Sequence, residues 1–117
     1  MATKKEIEDF LREFKEKMKI WDVLFRSDRD SNIQTIADLD IRPIERKEIL
    51  EKLKPTDYSE GPLEEKLHSG SNMWVFAKDI KKQQVYIKIS MGTANCPVIC
   101  ISFHIAKYKM NLPFKSS

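Results

Sequence analysis

The chain has 117 residues, of which 41% are hydrophobic and 33% charged, with a formal net charge of +3. That length suits one domain with one core, and that charge content excludes a membrane-embedded protein. No apolar run approaches the roughly 20 residues of a spanning helix, and Met1-Ala2-Thr3-Lys4-Lys5-Glu6 leads directly into charged helical sequence, so a cytoplasmic protein without membrane contacts is expected.

In chain order, Thr3 to Met18 reads as an amphipathic helix. Thr3 is placed to cap it, Glu6 follows three residues later as in a capping box, and Ile7, Phe10, Leu11, Phe14 and Met18 recur at helical spacing. Ile20 to Arg26 alternates Trp21, Val23 and Phe25 against Asp22, Leu24 and Arg26, which favours a strand over a continued helix. After a polar break at Ser27 to Ser31, Asn32 to Leu39 fits a short helix. A further helix begins at Ile41-Arg42-Pro43, with Ile44, Ile49, Leu50 and Leu53 as its apolar side, and Pro55 stops it.

Lys54 to Asn72, with Pro55, Pro62, Gly61 and Gly70, reads as a long loop or flap. Met73 to Ile80 is strand-like, and Lys81-Lys82 separates it from Val85 to Ser90 by the length of a tight hairpin. A two-residue turn would put Lys78 on the face of Val85 and Ile87, whereas one added bulge would swing it to the face of Tyr86. Val98 to His104, read at the two-residue period of a strand, turns Ile99, Ile101 and Phe103 to one side and Cys100, Ser102 and His104 to the other. The tail is expected to pack through Phe114 and then fray. The fold class is therefore α+β: N-terminal helices on an antiparallel sheet of about four strands, in a single domain over residues 1–117.

Pairing the last two strands with their apolar sides together brings Tyr86, Lys88, Ser102 and His104 onto one face, with Gln84 or Tyr86 opposite His104. The surroundings are basic: residues 78–117 contain seven Lys against Asp79 alone, whereas residues 1–77 contain 14 Lys and Arg against 17 Asp and Glu. Such a face attracts a polyanion. RNA is cleaved without a metal when its own 2′-hydroxyl attacks the phosphate, provided that one group takes that proton, another protonates the leaving oxygen and a cation steadies the phosphoryl oxygens. Imidazole exchanges protons near neutral pH, so His104 is the candidate acid or base, Tyr86 the group that orients or donates, and Lys88 the phosphate cation. Lys78, Gln84 and Ser102 are the flanking substrate-binding candidates, and Tyr58 and Glu60 could be carried over the face by the preceding loop. Polar side chains on the outer face of an antiparallel sheet also have an ordinary structural reading. Trp74 and Phe76 are expected in the core, His68 in solvent, and Glu64-Glu65-Lys66 on the surface. Cys96 and Cys100, with only His68 and His104 beside them, lack zinc-site spacing and are read as reduced structural thiols; no metal and no cofactor is expected.

From Leu53 to His104 the order of pieces is a helix end at Leu53, then Asp57-Tyr58, Trp74, Gln84-Val85-Tyr86-Ile87-Lys88-Ile89 and Ile101-Ser102-Phe103. It resembles the MqsR family of toxins from bacterial toxin–antitoxin pairs, with the Gln-Val-Tyr-aliphatic-Lys-Ile strand as the most specific part. The resemblance covers a little under half the chain. It implies a RelE-like fold, messenger-RNA endonuclease activity, a cognate antitoxin protein as partner and a cytoplasmic location; association with the ribosome is left open. By position, the family's strand tyrosine falls on Tyr86 and its lysine after Ser-Phe on His104. Glu60 stands where the family has a lysine, and Val75 where it has a glutamine, so cationic help would come from Lys78 or Lys88. The rival readings are a non-catalytic RNA-binding module with a basic sheet face, and an interaction domain that pairs an exposed strand with a partner.

Overall fold

The structure, a computed structural model, describes residues 1–26, 37–64 and 71–115. Helix α1 spans Lys4–Trp21, opened by the expected capping box: the Thr3 hydroxyl accepts from the Glu6 amide and the Glu6 carboxylate accepts from the Thr3 amide. Each bond satisfies an amide that the first helical turn leaves without a partner. Ile7, Phe10, Leu11, Phe14 and Met18 form its buried stripe, and Phe10 stacks on Trp74 with ring centroids 4.5 Å apart. The helix runs on through Ile20 and Trp21 until Asp22, at φ 68°, breaks it; strand β1 then occupies only Val23–Phe25. The helical and extended readings of residues 20–26 thus each hold for part of the segment.

The expected break at 27–31 and the start of the helix at Asn32 lie outside the described residues, as do His68 and the pair Glu65-Lys66; residues 37–39 are helical. Helix α2 covers Pro43–Glu51, with Pro43 in its first turn, where the missing amide hydrogen costs nothing. Its apolar side is Ile49, Leu50 and the following Leu53, whereas Ile44 turns outward and is 55% exposed.

A 310 turn at Pro55–Asp57 leads into strand β2, Tyr58–Leu63, within the segment expected as a long loop or flap. Gly61 permits its close approach to the neighbouring strand: at φ 127° a Cβ there would meet the Met73 carbonyl oxygen at 3.0 Å and the Trp74 Cα at 3.1 Å. Strands β3 (Met73–Ile80), β4 (Gln83–Ser90) and β5 (Val98–Ile105) complete a five-stranded mixed sheet of order β1-β5-β4-β3-β2. All pairings are antiparallel except that of β1 with β5. The expected sheet of about four antiparallel strands therefore gains β2 on one edge, and the strand expected within residues 20–26, β1, pairs parallel on the other.

Ile80 pairs with Gln83, so the β3–β4 hairpin closes in two residues, with Lys81 and Lys82 at φ 50° and 69°. Two positive φ values match the right-handed twist of the strands, and the lysines adopt them although neither residue favours them. Between the Lys88–Ser102 and Ile89–Cys100 pairs, Ile101 is an extra residue, a bulge that reverses the alternation of β5. Val98 and Cys100 consequently join Phe103 in the core under α1, correcting the expectation that Cys100 shares a face with Ser102 and His104. On the helix side lie Trp74, Phe76, Val85, Ile87 and Ile89 as well.

Candidate active site

Strand register fixes the other face of the sheet, because directly paired residues project to the same side. One row across it reads Glu60, Val75, Lys88, Ser102; the next reads Ala77, Tyr86, His104; and Asp79 pairs with Gln84 beyond. Tyr86 and His104 are thus direct cross-strand partners, with rings nearly parallel at 11° and centroids 5.0 Å apart. Both are half-buried. The His104 Nδ1 lies 3.0 Å from the Ile105 carbonyl oxygen. A carbonyl only accepts, so Nδ1 carries the hydrogen, and Nε2 of the neutral ring is left with the lone pair.

Beside this ring pair is a hollow of about 280 Å³, walled by Tyr86, His104 and residues 106–110, including Lys107, Tyr108 and Lys109. Lys88 is half-buried and two residues along β4 from Tyr86, on the same face, with the fully buried Ser102 as its cross-strand partner. Its diagonal separation from His104 is about 7 to 8 Å at the backbone, within reach of a lysine side chain. Tyr86, His104 and Lys88 therefore share one face as the alternation of β4 suggests; Ser102 lies on that face too but is fully buried, so it offers no surface to a substrate.

Four expected site residues lie elsewhere or are otherwise occupied. Lys78 pairs with Val85 and so faces the helix side, where its Nζ is 3.1 Å from the Asp57 carboxylate. The tight turn decides this, being the unbulged alternative of the two the sequence allowed. Tyr58 is fully buried: its hydroxyl donates to the Gly61 carbonyl at 2.5 Å and accepts from the Ala2 amide at 3.2 Å, and its ring packs edge-on to Trp74 and Phe76. It is a core residue of β2 and does not line the hollow. Glu60 is exposed on the correct face but three strands from His104, a distance of about 14 Å at normal strand spacing. Gln84 is next to the site, yet its side-chain oxygen accepts the Met110 amide at 2.8 Å, which makes it a support for the tail.

The tail itself supplies wall residues that were not among the expected site residues. Residues 106–110 follow β5, Asn111 accepts through its carbonyl from the Ser59 hydroxyl at 2.8 Å, and Phe114 packs on Tyr58 as expected. Lys107-Tyr108-Lys109 carries its own signal, an aromatic ring set between two cations next to a basic sheet.

Cys96 is exposed and Cys100 buried, both as free thiols; burial pushes the Cys100 thiol up to about 12. Among the described residues no group of three His, Cys, Asp or Glu side chains is arranged to hold a metal ion, and no helix is long and apolar enough to cross a membrane. Comparison of the chain with protein-family models, with curated proteins and with solved structures finds no match.

Proposed function

We propose that this protein is an endoribonuclease that cleaves messenger RNA by attack of the 2′-hydroxyl without a metal ion, acting in the cytoplasm as the toxin of a toxin–antitoxin pair. The observation that carries the reading is the Tyr86–His104 ring pair, half-exposed at the edge of a hollow large enough for a nucleotide linkage and walled by two lysines. The resemblance of the Leu53 to His104 segment to the MqsR toxins supports the biological half of the proposal, and with it a RelE-like fold and a cognate antitoxin.

In the reaction, Nε2 of His104 takes the proton of the 2′-hydroxyl as its oxygen bonds to phosphorus. The bond from phosphorus to the 5′-oxygen breaks, and that oxygen takes a proton from the Tyr86 phenol, which recovers it from the imidazolium through water. Lys88, on the same face, balances the charge gathering on the phosphoryl oxygens. The products are a 2′,3′-cyclic phosphate and a free 5′-hydroxyl.

Purified protein incubated with a defined RNA in excess chelator should generate those two ends at mapped positions. Intact RNA, or ends bearing a 5′-phosphate, would reject this chemistry and favour the reading as a non-catalytic RNA-binding or protein-interaction module.

A further inference from the structure

Gln84 supports an arch. Its backbone carbonyl accepts from the Ala106 amide at 2.8 Å and its side-chain oxygen accepts from the Met110 amide at 2.8 Å, so the two ends of the segment 106–110 are tied to one residue of β4. Tyr108, midway along it, is 86% exposed, with exposed Lys107 and Lys109 on either side. The arch is a shared wall. On one side is the hollow beside Tyr86 and His104; on the other is a larger one of about 540 Å³, bounded also by Lys82, Gln83 and Lys115. Among the described residues Asp79 is the single carboxylate in that second lining, and it lies 3.8 Å from the Lys115 ammonium.

We propose that the larger hollow is a second nucleotide subsite for single-stranded RNA, with a base stacked on Tyr108 and the adjoining phosphate held by Lys82, Lys107 and Lys109. The inference rests on the RNA reading above and adds to it a substrate class and a route. Proteins that track single strands combine a cationic groove with aromatic platforms, and every unpaired base offers a π-face. A duplex has its bases already stacked and cannot present one to Tyr108. An acidic peptide could satisfy the lysines but would have little use for an aromatic ring held out in solvent between them.

The test uses the full chain and a fluorescent single-stranded RNA of about ten nucleotides, 2′-O-methylated throughout so that it cannot be cut, with binding read by polarisation. Tyr108→Ala should weaken binding about tenfold while Tyr108→Phe keeps it, as loss and retention of one stacked base require. Lys82→Ala and Lys109→Ala should each lower the slope of log affinity against log salt by about 0.7, the value for one phosphate contact on a single strand. Duplex RNA and polyglutamate should bind at least tenfold more weakly than the single strand. Unchanged binding by Tyr108→Ala, or polyglutamate binding as tightly as RNA, would overturn the subsite. Wild-type protein that binds this RNA through Tyr108 but leaves ordinary RNA intact would reject the nuclease reading alone.

Discussion

The Tyr86 and His104 rings face each other across β4 and β5 because the bulge at Ile101 comes before Ser102, so the register that pairs Lys88 with Ser102 runs unbroken to the Tyr86–His104 pair. The imidazole is oriented from behind by the Ile105 carbonyl and from one side by the phenol ring. An imidazole held in this way loses little freedom when a ligand arrives, which is the preorganisation that the proposed proton transfer requires.

The two lysines expected from the sequence to supply cationic help, Lys88 and Lys78, should behave differently when removed. Lys88→Ala is expected to slow RNA cleavage by at least about tenfold, through loss of charge stabilisation at the phosphate. Lys78→Met should leave the rate within about twofold, because Lys78 faces α1 and pairs with Asp57. Its cost should appear instead in urea unfolding, as about 1 kcal/mol or less for the lost ion pair. Rates and unfolding curves for both variants check the assignment of faces.

Tyr58→Phe separates a core role from a site role. The hydroxyl bridges the Ala2 amide and the Gly61 carbonyl in a buried position, so its removal leaves two backbone groups short of a partner. A stability loss of about 1–3 kcal/mol is expected, with the cleavage rate per folded molecule unchanged. A variant as stable as wild type but slow in cleavage would put Tyr58 back at the substrate.

The cysteines should differ in reactivity. Attack by a thiol needs the thiolate, and burial holds the Cys100 thiol up to about 12, whereas Cys96 is exposed. At pH 8 a maleimide should modify Cys96 alone in the native protein and both residues in denaturant. Modification of Cys100 at a similar rate under native conditions would contradict its placement in the core.

Acid should remove one tie between α1 and α2. The Asp22 carboxyl is held below its usual range by a hydrogen bond from Lys47, at 3.0 Å, and by the Val23 amide. A depressed folded-state value means that the contribution is present above the unfolded pKa of about 3.9 and is lost as pH falls through the lower folded value. Asp22→Asn should therefore destabilise the protein at pH 6, with the difference from wild type shrinking as pH falls below the unfolded carboxylate range. A difference that does not shrink in acid would exclude the carboxylate as its source.

Several of these relationships were legible in the residues alone. Thr3 and Glu6 announced the capping box, the Phe10 and Phe14 spacing gave the buried stripe of α1, and the alternation of Val85 to Ser90 assigned Tyr86 and Lys88 to one face. The bulge at Ile101 was not legible, because Val98 to Ile101 is apolar at nearly every position and offers no alternation for an extra residue to interrupt. Strand β2 was hidden for a related reason: Gly61, Pro62 and two register shifts break its period, and it is strand only because β3 lies beside it. The Lys81-Lys82 turn takes its conformation from the pairing of β3 with β4 rather than from residues that favour positive φ, and the position of Lys78 follows from that pairing.

In the proposed reaction the imidazole of His104 exchanges the proton of an attacking 2′-hydroxyl. This step is tested most directly by the first-order rate at which wild-type protein and His104→Ala cut one defined RNA in chelator, with folding of both checked by circular dichroism. A loss of at least about a hundredfold is expected in a normally folded variant, the scale of a missing general acid or base. A folded His104→Ala protein that cuts at the wild-type rate would contradict it.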